Sequence, residues 1–144
     1  LVAVLGSYFI QTGEIGEKEI WTLAWQCGLY SSALIAINNL RDVDEDRETG
    51  KKTLAVRFGK TFARIEVVVF CLLPALLWQV HLATRDGKDF VYFAVLLSSY
   101  VLGGIICRGV CRNLPGPLMN ALLGLAALQL VGFGTMVVWH YSTR

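Results

Sequence analysis

The stretch NLPGPLMNALLGLAALQLVGFGTMVVWHYST, residues 113–143, contains no Asp, Glu, Lys or Arg. A helix needs ~20 apolar residues, and no fewer than ~17, to cross the ~30 Å hydrocarbon layer of a bilayer. This stretch is long enough. Moving back along the chain, Phe90 to Cys107, Val67 to Thr84 and Ile20 to Leu40 are also free of those charges, the first two near the lower limit. Leu1 to Gly13 is apolar but too short. The chain is 55% hydrophobic with a mean hydropathy of +0.54, above a water-soluble domain. Four such runs in succession, each bounded by charges, read as membrane spans rather than buried soluble helices. Open sheets are excluded, because lipid offers no partner for edge N–H and C=O groups. The expected fold is an all-α membrane protein, a bundle of about five helices. The first ends near Gly13, and the others cover about 20–38, 64–81, 89–107 and 117–140.

Charge distribution sets the topology. One side of this bundle receives Arg41, Arg47, Lys51, Lys52, Arg57, Lys60, Arg64, Arg108 and Arg112. The other receives Lys18, Arg85, Lys88 and Arg144. Short loops rich in Lys and Arg stay cytoplasmic, so the 41–63 loop is expected there. The chain opens inside an apolar stretch, LVAVLGSYFIQTG, without the basic start or cleavage site of a signal peptide. It reads as truncated at the N-terminus. Pro115-Gly116-Pro117 stops one helix and starts the next. Gly103, Gly104, Gly132 and Gly134 read as points of close helix approach. Trp21, Trp78 and Trp139 lie near expected helix ends and read as interface anchors. Cys27, Cys71, Cys107 and Cys111 form no CxxC pair, and neither His81 nor His140 sits at ligand spacing from them. They read as small hydrophobes.

The exception to this pattern is NNLRDVDEDRETGKKTLAVRFGK, residues 38–60, with five acidic and six basic residues. A solvated, topology-setting loop is the plainest reading. Residue order favours another. If the preceding helix continues, Asp42 and Asp46 fall at i and i+4 on one face, with Glu45 beside them. Like charges at that spacing destabilise a helix, and acids at a helix C-terminus oppose its dipole. A cation between the carboxylates relieves both. Oxygen-only ligands suit a hard ion such as Mg²⁺, which is usually held by one or two carboxylates plus substrate phosphates. Arg47, Lys51, Lys52 and Arg57 follow closely, as a diphosphate site requires. Lys52 has a second reading, as the i,i+4 partner of Glu48. An EF-hand fails, because its positions 6 and 12 are Arg47 and Thr53. A transporter mouth is the weaker option, since each span is free of Asp, Glu, Lys and Arg between its flanking charges.

Those residues resemble the second Asp-rich motif of the UbiA superfamily of membrane prenyltransferases. The nearest branch is the one that prenylates 1,4-dihydroxy-2-naphthoate in menaquinone synthesis. Asn38, Asn39, Arg41, Asp42, Asp46, Gly50, Lys51, Thr53, Leu54 and Gly59 match its pattern. Residues 1–13 are similar to the branch's preceding helix. The resemblance implies a nine-helix bundle, of which this chain is the C-terminal half, and an Mg²⁺-dependent aromatic prenyltransferase. Asp42 and Asp46 are then the catalytic and metal residues. Asn38, Asn39, Arg41, Arg47, Lys51, Lys52, Arg57 and Tyr8 are the substrate-binding candidates. The implied partners are a prenyl diphosphate, an aromatic acceptor and the lipid bilayer, with no nucleic acid. The expected location is a bacterial inner membrane, multi-pass. Another acceptor of the 4-hydroxybenzoate or chlorophyll type, or a non-catalytic membrane subunit, remains open at this point.

Overall fold

A computed structural model describes residues 1–83, 90–112 and 116–142. Its elements are α1 Val2–Thr12, α2 Lys18–Arg41, α3 Val43–Glu48, α4 Leu54–Ala83, α5 Phe90–Cys111 and α6 Gly116–Ser142. Four stretches are long and apolar enough to cross a membrane: Lys18–Arg41, Leu54–Gln79, Phe93–Cys111 and Gly116–Trp139. The protein is an integral membrane helical bundle. Arg85 and Lys88 of the 84–89 connection, and Arg144, lie outside the described residues.

The packing order follows chain order and then closes. α2 packs on α4, α4 on α5, α5 on α6 and α6 back on α2, so four helices make a ring. α1 packs on α2, with Leu1 against Gly28. The ring's interior at one end is Ala33, Ala36, Ile37, Val67, Cys71, Ile106, Val110, Met119 and Leu122. Toward the other end Phe133 meets Tyr30 in a tilted contact at 5.4 Å between ring centroids and Trp78 edge to face at 5.8 Å. Outward-facing apolar side chains such as Ile35, Leu97, Val131 and Val138 remain exposed. That inversion of the usual surface is what a lipid-facing bundle requires, since lipid tails are as apolar as the core.

A polar layer crosses this apolar interior. Gln26 on α2 is fully buried and its Nε2 donates to the Pro74 carbonyl of α4 at 3.0 Å. Gln129 on α6 donates to the Ser99 carbonyl of α5 at 3.0 Å and the Cys71 carbonyl of α4 at 3.3 Å. One side chain thereby ties three helices.

Several boundaries differ from the sequence expectation. α2 runs to Arg41 rather than 38, and the polypeptide continues as α3 after a bend at Asp42 (φ −96°, ψ 10°). α4 starts at Leu54, ten residues before the expected 64. Thr53 starts it, its Oγ1 accepting the Val56 N–H at 3.3 Å, as a helix-capping threonine does. Gly59 (φ 85°, ψ 171°) then breaks α4 just after Leu54–Phe58. Trp78 is not an interface anchor: α4 extends to Ala83, which leaves Trp78 5% exposed inside the bundle. Trp21 and Trp139 are exposed near helix ends as expected. Of the glycines read as approach points, only Gly103 is one. A Cβ there would meet Leu72 Cδ2 at 2.9 Å and the Cys71 carbonyl oxygen at 3.3 Å, whereas Gly104, Gly132 and Gly134 face open space. Gly109 is a second approach point, 2.7 Å from Leu122 by the same measure.

Candidate functional site

The charged segment forms the polar end of the ring, and local backbone chemistry builds it. Asp42 accepts the Asp46 N–H through its backbone carbonyl at 2.8 Å, so the two residues lie one helical turn apart. α3 then stops at Gly50, whose φ of 76° lies in the left-handed region that glycine adopts without steric cost. The Gly50 N–H bonds the Arg47 carbonyl at 3.3 Å and the Lys51 N–H bonds the Asp46 carbonyl at 2.9 Å. This is a Schellman stop. It folds Lys51 back over the helix it follows, and Lys51 Nζ donates to Asp46 Oδ1 at 2.7 Å. Asp46 is 3% exposed, so the ammonium offsets the desolvation of a buried carboxylate. The same carboxylate holds the Lys51 pKa above the ordinary lysine value.

Asp42 is held differently. Arg41 Nε donates to its Oδ1 at 2.6 Å and Arg41 Nη2 to its Oδ2 at 2.8 Å. Such a fork is the strongest form of carboxylate pairing. It holds the Asp42 carboxyl below the usual carboxylate range. The remaining donors of Arg41 reach Asn38 Oδ1 at 2.7 Å and Asn120 Oδ1 at 2.6 Å. Arg41 therefore orients Asp42 and bridges α2 to α6. Asp44, exposed on α3, takes Lys60 Nζ at 2.7 Å and Arg47 Nη1 at 3.5 Å. Lys60, the larger cause, lowers the Asp44 pKa.

Thus Asn38, Arg41 and Asp42 form one group and Asp46 with Lys51 a second. Arg47 joins Asp44. Asn39 is half-buried on α2 close to Asn38. Lys52 and Arg57 are exposed and make no ion pair among the described residues; Glu48 does not take Lys52 in one. Tyr8 is not brought to this end. It lines an apolar groove with Ala3, Val4, Ser7, Gln11 and Ile20, and Ile20 is 22 residues before Asp42, ~33 Å along a helix. Asn120 escaped the sequence reading, and Lys60 and Arg64 entered it only as topology-setting charges. Lys60 and Arg64 carried a signal, a basic i,i+4 pair running into a span, whereas Asn120 carried none.

No group of three His, Cys, Asp or Glu side chains at metal-binding spacing occurs among the described residues. The two aspartates one turn apart at the bundle mouth are oxygen donors, the type a hard divalent ion takes, and here Arg41 and Lys51 occupy their carboxylates.

The profile of the UbiA prenyltransferase family matches residues 1–118. The 1,4-dihydroxy-2-naphthoate octaprenyltransferase of Haemophilus influenzae is 30% identical over 131 residues, 91% of this chain and 42% of that protein. The protein of the same name from Escherichia coli is 44% identical over 63 residues, 44% of this chain and 20% of that protein. Human UbiA prenyltransferase domain-containing protein 1 is 36% identical over 84 residues, 58% of this chain and 24% of that protein. The chain spans less than half the length of these relatives. No solved structure matches it significantly.

Proposed function

Because this chain belongs to the UbiA prenyltransferase family, we propose that the protein containing it transfers a polyprenyl group from a prenyl diphosphate to 1,4-dihydroxy-2-naphthoate. The observation that carries the reading is the pair Asp42 and Asp46, one turn apart, each held by a cation within 2.7 Å. Naphthoate as acceptor is supported by two bacterial relatives, both 1,4-dihydroxy-2-naphthoate octaprenyltransferases. A different aromatic acceptor is the second reading, supported by the human relative, whose name specifies none.

Asp42 and Asp46 would hold Mg²⁺, which supplies Lewis-acid neutralisation of the diphosphate leaving group. The chain's own residues do the rest. Arg41 keeps Asp42 ionised and aimed. Lys51 sits on Asp46 and is positioned to exchange that carboxylate for a phosphate oxygen. Arg47, Lys52 and Arg57, all exposed around the same mouth, would stabilise charge on the departing oxygens. Asn38 and Asn39, a turn deeper on α2, would orient the acceptor. The prenyl C–O bond breaks with its electron pair leaving on diphosphate. A new C–C bond forms to the aromatic ring, and a naphthoate ring then loses its carboxyl group as CO₂. The charged 41–63 segment is cytoplasmic in this scheme, in a bacterial inner membrane.

The test is prenyl transfer by the intact parent protein in membranes. Asp42→Asn and Asp46→Asn should each abolish Mg²⁺-dependent transfer while the protein still inserts. Full activity in either variant refutes the assignment. Competing naphthoate against 4-hydroxybenzoate decides the acceptor.

A further inference from the structure

The cations on the two aspartates are held in different ways. Arg41 forks onto Asp42 and uses further donors on Asn38 and Asn120, so it cannot leave without undoing the link between α2 and α6. Each Asp42 oxygen keeps a lone pair beyond the one that Arg41 takes. Lys51 is tied down far less. Its Nζ makes one hydrogen bond among the described residues, to Asp46 Oδ1 at 2.7 Å. The Lys51 side chain is 65% exposed, whereas that of Asp46 is 4% exposed. A flexible, solvated stem therefore covers a carboxylate that has almost no other opening to water. The ammonium is also attracted by Glu45 and Asp42, so it lies near both aspartates.

We propose that Lys51 is a tethered counter-ion: in the metal-free protein its ammonium covers Asp46, and a divalent ion gains that carboxylate only as Lys51 swings away. The inference rests on reading Asp42 and Asp46 as the metal seat. A buried carboxylate left without a cation is strongly destabilising, so Asp46 needs an occupant whenever no metal is bound. An ammonium on a four-carbon stem fills that need and can still depart, because it is a point charge free to rotate. The Gly50 stop (φ 76°) aims it. Through that turn the Lys51 N–H returns to the Asp46 carbonyl at 2.9 Å while its Nζ returns to the carboxylate. The exchange breaks one charge-assisted hydrogen bond and no covalent bond. Lys51 thus competes with the metal, and the seat stays closed to stray divalent ions until the ammonium is drawn elsewhere.

The experiment measures Mn²⁺ affinity by electron paramagnetic resonance of the free ion, using the intact parent protein in detergent at fixed pH without phosphate or diphosphate. Lys51→Gln keeps a hydrogen-bond donor for Asp46 but removes the charge, and should bind Mn²⁺ about tenfold or more tightly than wild type. Lys60→Gln removes an equal charge at the same end of the bundle, where Lys60 serves Asp44, and should change the affinity less than about threefold. A Lys51→Gln gain no larger than the Lys60→Gln gain overturns the proposal, since loss of any neighbouring charge then explains it. Gly50→Ala, measured alongside, covers the case in which Lys51→Gln does not fold. It alters no charge but strains the turn that aims Lys51, so affinity should rise about two- to fivefold. Unchanged or weaker binding there overturns the proposal. Asp46→Asn separates the two readings. If it abolishes Mn²⁺ binding while Lys51→Gln gains nothing, the metal seat stands and the counter-ion role falls. If tight Mn²⁺ binding survives in Asp46→Asn, both fall.

Discussion

Replacing Asn120 by Ala should loosen the polar end of the bundle without touching its apolar interior. Asn120 Oδ1 takes Arg41 Nη1 at 2.6 Å, the hydrogen bond that carries Arg41 from α2 to α6. A bond to a charged group contributes roughly 1.5–3 kcal/mol when sheltered. Asn120 is exposed, and polar contacts between membrane helices average only ~0.6 kcal/mol. About 1 kcal/mol is the resulting expectation. The partner substitution is Arg41→Lys, because an ammonium cannot fork to Asp42 while reaching Asn38 and Asn120. A double-mutant cycle of Asn120→Ala and Arg41→Lys, read by reversible unfolding of the intact protein in mixed micelles, isolates the pair. A coupling energy near 1 kcal/mol is expected. A coupling below ~0.3 kcal/mol, the level of additivity for independent sites, refutes the claim that Arg41 bridges two helices through Asn120.

Two other outcomes follow from the same geometry. Asp42 is held below the usual carboxylate range chiefly by the Arg41 hydrogen bonds. A depressed folded pKa gives stability that is present above the unfolded value, ~3.9, and is lost as pH falls through the folded one. In metal-free buffer the wild type should be flat from pH 8 to 5 and lose stability below about 4. Arg41→Gln should lose less over that range in an acid titration of unfolding. On α5, Gly109→Val would press a side chain onto Leu122, where even a Cβ comes within 2.7 Å. It should cost about 1–3 kcal/mol as overpacking does, while Gly104→Val, facing open space, leaves thermal stability near wild type.

The spans were legible because an uncharged run of sufficient length has few fates other than the bilayer. The start of α4 was not, for the same reason. Arg57, Lys60, Arg64 and Glu66 interrupt the uncharged pattern, yet charges at a span's end are tolerated when they face a polar mouth. The signal that did mark the start was local, a Thr53 cap. The i,i+4 spacing of Asp42 and Asp46 and the helix stop at Gly50 were also written locally, and the structure keeps the two aspartates one turn apart. Asn120 was illegible because 79 positions separate it from Arg41 and only ring closure joins them. Tyr8 was chosen by similarity of its segment. Neither the segment nor its composition encoded which end of α2 it would pack against.

The break at Gly59 has a further consequence for how the protein sits in its membrane. Before it, Leu54–Phe58 is a short piece with Leu54 and Phe58 exposed; after it comes exposed Phe62, whose ring lies 5.0 Å from that of Phe58. Paired aromatic rings beside Arg57, Lys60 and Arg64 are the composition of an interfacial float. The break changes the chain's direction between this short piece and the helix below it, so the two need not share one tilt in the bilayer. The basic residues on either side of the break then sit where an interfacial segment meets the lipid headgroups.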